Sequence, residues 1–111
     1  MKSFAMALDL KNDFTSIEEY KKYHRDVWPE VLDGLKKINI SRMKIFLHGC
    51  RLFMYIEAPD DFDLRRDFQN YMKCERAKEW DFIMRKFQEP VPGAEPDELW
   101  SPMEEVFSLE S

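Results

Sequence analysis

The chain has 111 residues, of which 44% are hydrophobic and 14% aromatic, and it carries a formal charge of −5. That length supports a single domain, residues 1–111, with a modest core, and the apolar content argues against disorder. The acidic balance excludes the basic surface that nucleic acid or an anionic membrane requires, so neither is expected as a partner.

The first segment, Ser3 to Leu10, reads as a strand. Acid appears at Asp9, too soon for a secretory leader, and no later run approaches the ~18 apolar residues of a membrane span. A cytoplasmic location is the expectation. After a loop at Lys11–Phe14, a helix is expected to start at Thr15 or Ser16, each followed three residues on by a glutamate in the capping-box pattern. Its apolar stripe is Ile17, Tyr20, His24, Val27, Val31, Leu35 and Ile38, at steps of three and four. Pro29 interrupts that stripe. It removes a backbone donor and predicts either a kink near Arg25–Trp28 or two helices, with Pro29 first in the second.

Ser41–Leu47 and Arg51–Ala58 then read as a β-hairpin turning at His48-Gly49-Cys50. Helix follows over Asp63–Met72 and Ala77–Phe87, with a break near Lys73–Arg76. Three prolines and a glycine between Glu89 and Pro96 forbid regular structure there, and Met103–Leu109 reads as a final strand. The order β-α-β-β-α-β is the ferredoxin-like plan, an α+β fold with helices on one face of a sheet. One strand parity carries Phe4, Met6, Leu8, Ile45, Leu52, Met54 and Ile56. The other carries Phe46, Phe53, Tyr55 and Phe107 among Lys44, Glu57 and Glu105. An antiparallel sheet with one wet face alternates cleanly with polar residues. Two partly aromatic faces imply that the second meets a subunit, a ligand or both.

Few residues offer chemistry. Cys50 and Cys74 lack a CxxC spacing and read as free thiols of a reducing compartment. Asp60, Asp61 and Asp63 read as a helix-capping run, with no metal site expected. There is neither a phosphate-cradling glycine loop nor a serine nucleophile elbow. His48, at the turn, reads as a solvated residue. His24 lies on the apolar stripe among Tyr20, Tyr23 and Trp28, just before the proline break. Histidine alone titrates near neutrality without help, so His24 is the candidate acid/base. Trp80 suits a core position and a site position equally.

The segment Tyr20-Lys-Lys-Tyr-His24-Arg-Asp-Val-Trp28-Pro29-Glu30 resembles the signature of the L-rhamnose mutarotase family. The hairpin strands Met43–Leu47 and Arg51–Met54, the Trp80 to Met84 turn and the ending Met103-Glu-Glu-Val-Phe107 agree in order, so the resemblance spans nearly the whole chain. It implies a dimeric α/β-barrel, with the sheets of two subunits facing each other. It also implies cofactor-free interconversion of the anomers of a 6-deoxyhexose, L-rhamnose first and L-fucose as the alternative. His24 inherits the role of proton donor to the ring oxygen, Tyr20 a sugar contact, and Trp80 an aromatic contact, with Trp28 able to stack beside it. Met43 stands where some members place a substrate-binding tyrosine, and Asp81 where a second tryptophan can follow the first. Both positions bear on which sugar is read. Two other classes share the plan: a cofactor-free or haem-linked monooxygenase, with His24 as base or haem ligand, and a sugar-binding module without turnover.

Overall fold

Strand β1 (Lys2–Leu10) lies at the centre of the sheet in the computed structural model, which describes residues 1–109. It is followed by helices α1 (Phe14–His24) and α2 (Pro29–Lys37), the hairpin β2 (Arg42–His48) and β3 (Arg51–Ala58), helices α3 (Leu64–Tyr71) and α4 (Glu75–Arg85), and short strands β4 (Gln88–Glu89) and β5 (Ser101–Pro102). The sheet runs β2-β3-β1, with β4 and β5 both on the far edge of β1, all antiparallel. This is the expected α+β, ferredoxin-like plan, with each of its two helices in two pieces.

The breaks have local causes. Pro29 opens α2 at its first turn, and Trp28 before it is held at φ −59° and ψ 137°, outside helical space. A residue preceding proline is pushed there by the ring. Between α3 and α4 the chain turns through Lys73, and Cys74 adopts an extended backbone as the cap of α4. In the hairpin, Gly49 supplies the left-handed φ of 62° that the two-residue turn needs.

Alternation assigns the two faces. Leu52, Met54, Ile56 and Ala58 of β3 are buried, as are Met6, Leu8 and Leu10 of β1, and they face the helices. Register pairs Met6 with Met54 and Leu8 with Leu52. Burial of a large aliphatic side chain contributes roughly 1.5–3 kcal/mol, so these rows dominate cohesion. One cluster gathers Met6, Ile38, Ile40, Met54, Ile56 and Phe62; a second gathers Leu8, Leu10, Tyr20, Val31, Leu52, Trp80 and Met84. On the opposite face Phe46 stacks on Phe53 at 5.9 Å, and Tyr55 donates to Glu57 Oε2 at 2.9 Å, with no helix above them.

Two expectations are corrected. Asp13, not Thr15 or Ser16, caps α1: its carboxylate reaches the Ser16 N–H at 2.8 Å, so the helix begins at Phe14. The final strand is not Met103–Leu109 but Ser101–Pro102. Pro102 has no N–H to donate, and the Met103 N–H to Ala5 oxygen bond, 2.8 Å, is the last rung. Beyond it Phe107 lies outside the sheet, because no sheet surface of this chain covers it.

Candidate active site

The break between α1 and α2 opens beside the second core cluster. There His24 occupies the last turn of α1, half-buried. Its ring stacks on Tyr20, one turn earlier, with centroids 4.2 Å apart and planes 28° from parallel. The edge of Trp80 from α4 meets it at 5.3 Å. Trp28, at the α2 cap, packs edge-on against the same Trp80 at 5.2 Å, and Tyr23 does so at 5.9 Å. Two aromatic rings, Tyr23 of α1 and Trp28 at the junction with α2, thus converge with His24 on Trp80.

The tautomer follows from one hydrogen bond. Nδ1 of His24 lies 2.8 Å from the Tyr20 carbonyl oxygen. A carbonyl only accepts, so Nδ1 carries the proton and donates it. Nε2 is left with a free lone pair in the neutral ring. Burial pushes the imidazole below its ordinary value of 6.5, and the Tyr20 carbonyl acts the other way. The neutral ring therefore prevails at pH 7, with Nε2 ready to take a proton.

Tyr20 is 4% exposed, and burial raises the proton affinity of its hydroxyl strongly, opposed by the Gln88 side chain beside it. In this packing Tyr20 acts on His24 through its carbonyl and ring face. Trp80 is 8% exposed and belongs both to the core and to the wall around His24. Trp28 is half-buried at the rim. The other two expected residues stand apart. Met43 faces the helices but packs on the first cluster. Asp81 follows Trp80 but is half-buried and paired, its carboxylate accepting from Arg85 Nε at 2.6 Å.

Arg76 and Gln88 join the site unannounced. The Arg76 guanidinium sits 3.9 Å over the Trp28 ring and bridges Glu79 at 2.7 Å and Glu30 at 3.8 Å, tying α2 to α4. Its place in the uncertain helix break gave no periodic signal. Gln88, buried on β4, comes from a stretch beside the proline loop that carries no pattern. Elsewhere, a groove of about 470 Å³ between β1, β5 and the proline loop is lined by Ala7, Val91, Glu98 and Met103, and contains no residue of the His24 cluster. Among the described residues no group of three or more His, Cys, Asp or Glu is placed to hold a metal ion, and no helix is long and apolar enough to cross a membrane.

The arrangement can exchange one proton at Nε2 against an aromatic wall. Comparison with known proteins gives it a context. The sequence model of the L-rhamnose mutarotase family matches residues 3–109. A UPF0734 protein of Dictyostelium discoideum is 53% identical across 98% of this chain and 90% of its own. The L-fucose mutarotase of Xanthomonas campestris is 32% identical across 98% and 89%. The crystal structure of an L-rhamnose mutarotase from Formosa agariphila superposes with a TM-score of 0.73 at 25% identity, covering 99% of this chain and all (100%) of that one.

Proposed function

This chain belongs to the L-rhamnose mutarotase family, and from that premise we propose that it interconverts the α and β anomers of L-rhamnose with His24 as its acid/base. The observation that carries the reading is the hydrogen bond from His24 Nδ1 to the Tyr20 carbonyl, because it dedicates Nε2 to proton exchange.

The reaction opens the pyranose ring and recloses it. Nε2 takes the proton of the anomeric hydroxyl as the bond between C1 and the ring oxygen breaks. The imidazolium so formed returns that proton to the ring oxygen, leaving the open aldehyde. Rotation about the C1–C2 bond exposes the other carbonyl face, and the same steps in reverse close the ring. Both oxygens are attached to C1, so one nitrogen serves both. The acid step at the ring oxygen is thus preceded by a base step at the anomeric hydroxyl. General acid–base catalysis of this kind contributes about 10²–10⁴-fold, and the lowered basicity of a buried imidazole makes its protonated form the better donor. The chemistry uses no cofactor and no covalent intermediate. Trp80 and Trp28 supply flat apolar surface for a sugar ring and its methyl group.

A second reading keeps the mechanism and changes the sugar to L-fucose. It is favoured by the Xanthomonas relative, which aligns over nearly the whole chain. The deciding experiment is saturation-transfer NMR on both sugars. Faster anomer exchange with L-rhamnose supports the first reading, exchange only with L-fucose the second, and exchange with neither removes the catalytic reading.

The open face of the sheet, with Phe46 53% exposed, is proposed to meet the same face of a second copy. The unpaired thiols Cys50 and Cys74 suit a reducing, cytoplasmic setting.

A further inference from the structure

Asp9 and Gln88 are the buried polar or charged side chains among the described residues, 8% and 9% exposed. Asp9 is accounted for by its ion pair with Arg51 at 2.8 Å. Gln88 needs another account, because a buried amide is costly unless it is hydrogen-bonded. Strand β4 has only two residues, and its register sets Gln88 directly opposite Leu10. Directly paired residues of an antiparallel ladder share a face. Leu10 is wholly buried on the helix side, so the Gln88 side chain projects to that side too, toward the cluster that holds Tyr20 and Trp80.

The group it meets there is the Tyr20 hydroxyl. Tyr20 is itself buried, and the Gln88 side chain is its hydrogen-bond partner. An amide and a hydroxyl, each costly to bury alone, thus satisfy one another beneath α1. The rest of Tyr20 is committed to His24. Its carbonyl accepts the Nδ1 proton at 2.8 Å, and its ring stacks on the imidazole with centroids 4.2 Å apart. Helix α1 ends at His24, so no further turn of that helix holds the imidazole from the other side. The ring of Tyr20 can rock about its own side-chain bonds unless its far end is fixed, and any rocking passes to the imidazole stacked on it.

We propose that Gln88 is a positioning residue: it tethers the Tyr20 hydroxyl to the sheet, and so holds the ring on which His24 rests and keeps Nε2 aimed at the sugar. A neutral amide suits that task better than a carboxylate, which would bring a charge into an apolar cluster and change the proton affinity of the imidazole beside it. Gln88 is buried behind the residue it holds, and it acts on His24 through Tyr20. The inference rests on the acid/base reading of His24 and adds what keeps that group in place.

The test is a double-variant cycle on kcat and KM with Gln88→Met and Tyr20→Phe, each close to the original side chain in volume. Each should lower kcat for anomer exchange about tenfold, as much as one lost hydrogen bond can carry, with KM near wild type. The double variant should be no slower than either single one, because both changes cut the same tether. Heteronuclear NMR of the imidazole in the sugar-free protein supplies a readout separate from activity. Neutral His24 should carry its proton at Nδ1 alone in the wild-type chain, and both variants should show a share of the Nε2-protonated form. Should Gln88→Met fail to fold, Tyr20→Phe tests the tether from its other end. Losses that multiply to about a hundredfold in the double variant, a raised KM with unchanged kcat, or a tautomer that neither variant alters overturns the tether. A wild-type chain that exchanges no anomers overturns the acid/base reading, and the NMR comparison then decides the tether by itself.

Discussion

The two faces of the sheet are built from neighbouring residues and do opposite work. Ile56 is fully buried against the helices; Tyr55, one residue away, lies on the face that no helix covers. The two histidines divide likewise. His24 is half-buried under aromatic rings on the helix side, and His48 is exposed at the end of β2. The same residue type is a candidate acid/base on one side and a solvated residue on the other. What sets His24 apart is its surroundings: the Tyr20 carbonyl fixes its tautomer and burial lowers its proton affinity.

The largest expected effect tests that division directly. His24→Gln should lower the anomer-exchange rate by about 10²–10⁴-fold while the chain stays folded, and His48→Gln should leave it unchanged. Equal loss in both variants would erase the distinction between the faces. The pH dependence carries a sign. Burial lowers the His24 value, so the rate should hold at neutral pH and fall with a midpoint below 6.5 as Nε2 is protonated. Stability follows the same direction. Just below 6.5 the unfolded histidine binds a proton more readily than the folded one, so unfolding becomes easier as pH falls through that window. A midpoint above 6.5 would contradict burial as the dominant influence.

Next in size is the pair Ile56→Ala and Tyr55→Ala. The first leaves a cavity among fully buried side chains and should cost about 2–5 kcal/mol; the second, measured at low protein concentration, should cost about 1 kcal/mol or less. Chemical denaturation reads both. If Tyr55→Ala cost as much as Ile56→Ala at every concentration, the open face would be part of the chain's own core.

Much of this division is legible in the sequence, because alternation along a strand is a local rule. That Leu52, Met54 and Ile56 share one face was readable from spacing alone, as was the β3 range Arg51–Ala58, whereas which face meets the helices was decided only by the packing. The Pro29 break was readable too, since the ring acts on its immediate neighbours. Long-range features were not. Nothing local indicates that Arg76 covers Trp28, or that Gln88 lies beside Tyr20, because tertiary folding alone brings them together. The last strand failed for the same reason. Its residues carry strand preference, but a strand exists only where a neighbour accepts its peptide groups. Tyr20, His24, Trp28 and Trp80 were brought together as anticipated, whereas Met43 and Asp81 were placed elsewhere by the packing of their own elements.

A smaller effect is expected where α2 meets α3. A β-carbon on Gly34 would come within 2.9 Å of the Tyr71 ring. Gly34→Ala gains helix propensity of roughly 1 kcal/mol and loses about 1–3 kcal/mol to crowding, so a net loss near 1 kcal/mol is expected. Tyr71 lines both core clusters, and burial, with Asp81 adding, pushes its hydroxyl up to about 12. Gly34→Ala combined with Tyr71→Leu should regain stability in denaturation if the clash is the cause, and a double variant no better than the single one would remove that explanation.

The smallest expected effect lies at the rim, where the covered side reaches solvent. Arg76 is 43% exposed, so its stacking on Trp28 and its ion pairs with Glu79 and Glu30 are screened. Together they should contribute only about 0.5–1 kcal/mol, and Arg76→Ala should barely shift the denaturation midpoint. The more telling readout is kinetic. Arg76 touches no residue placed at the proton transfer; it holds the outer face of Trp28 while Trp28 packs on Trp80. Loosening that wall should weaken sugar binding and raise KM, and leave kcat close to wild type. Arg76→Lys keeps the charge but lacks the flat guanidinium, so it should restore only part of the binding. A kcat loss as large as that of His24→Gln would instead place Arg76 in the chemistry and move the boundary of the site outward, from the imidazole to the rim.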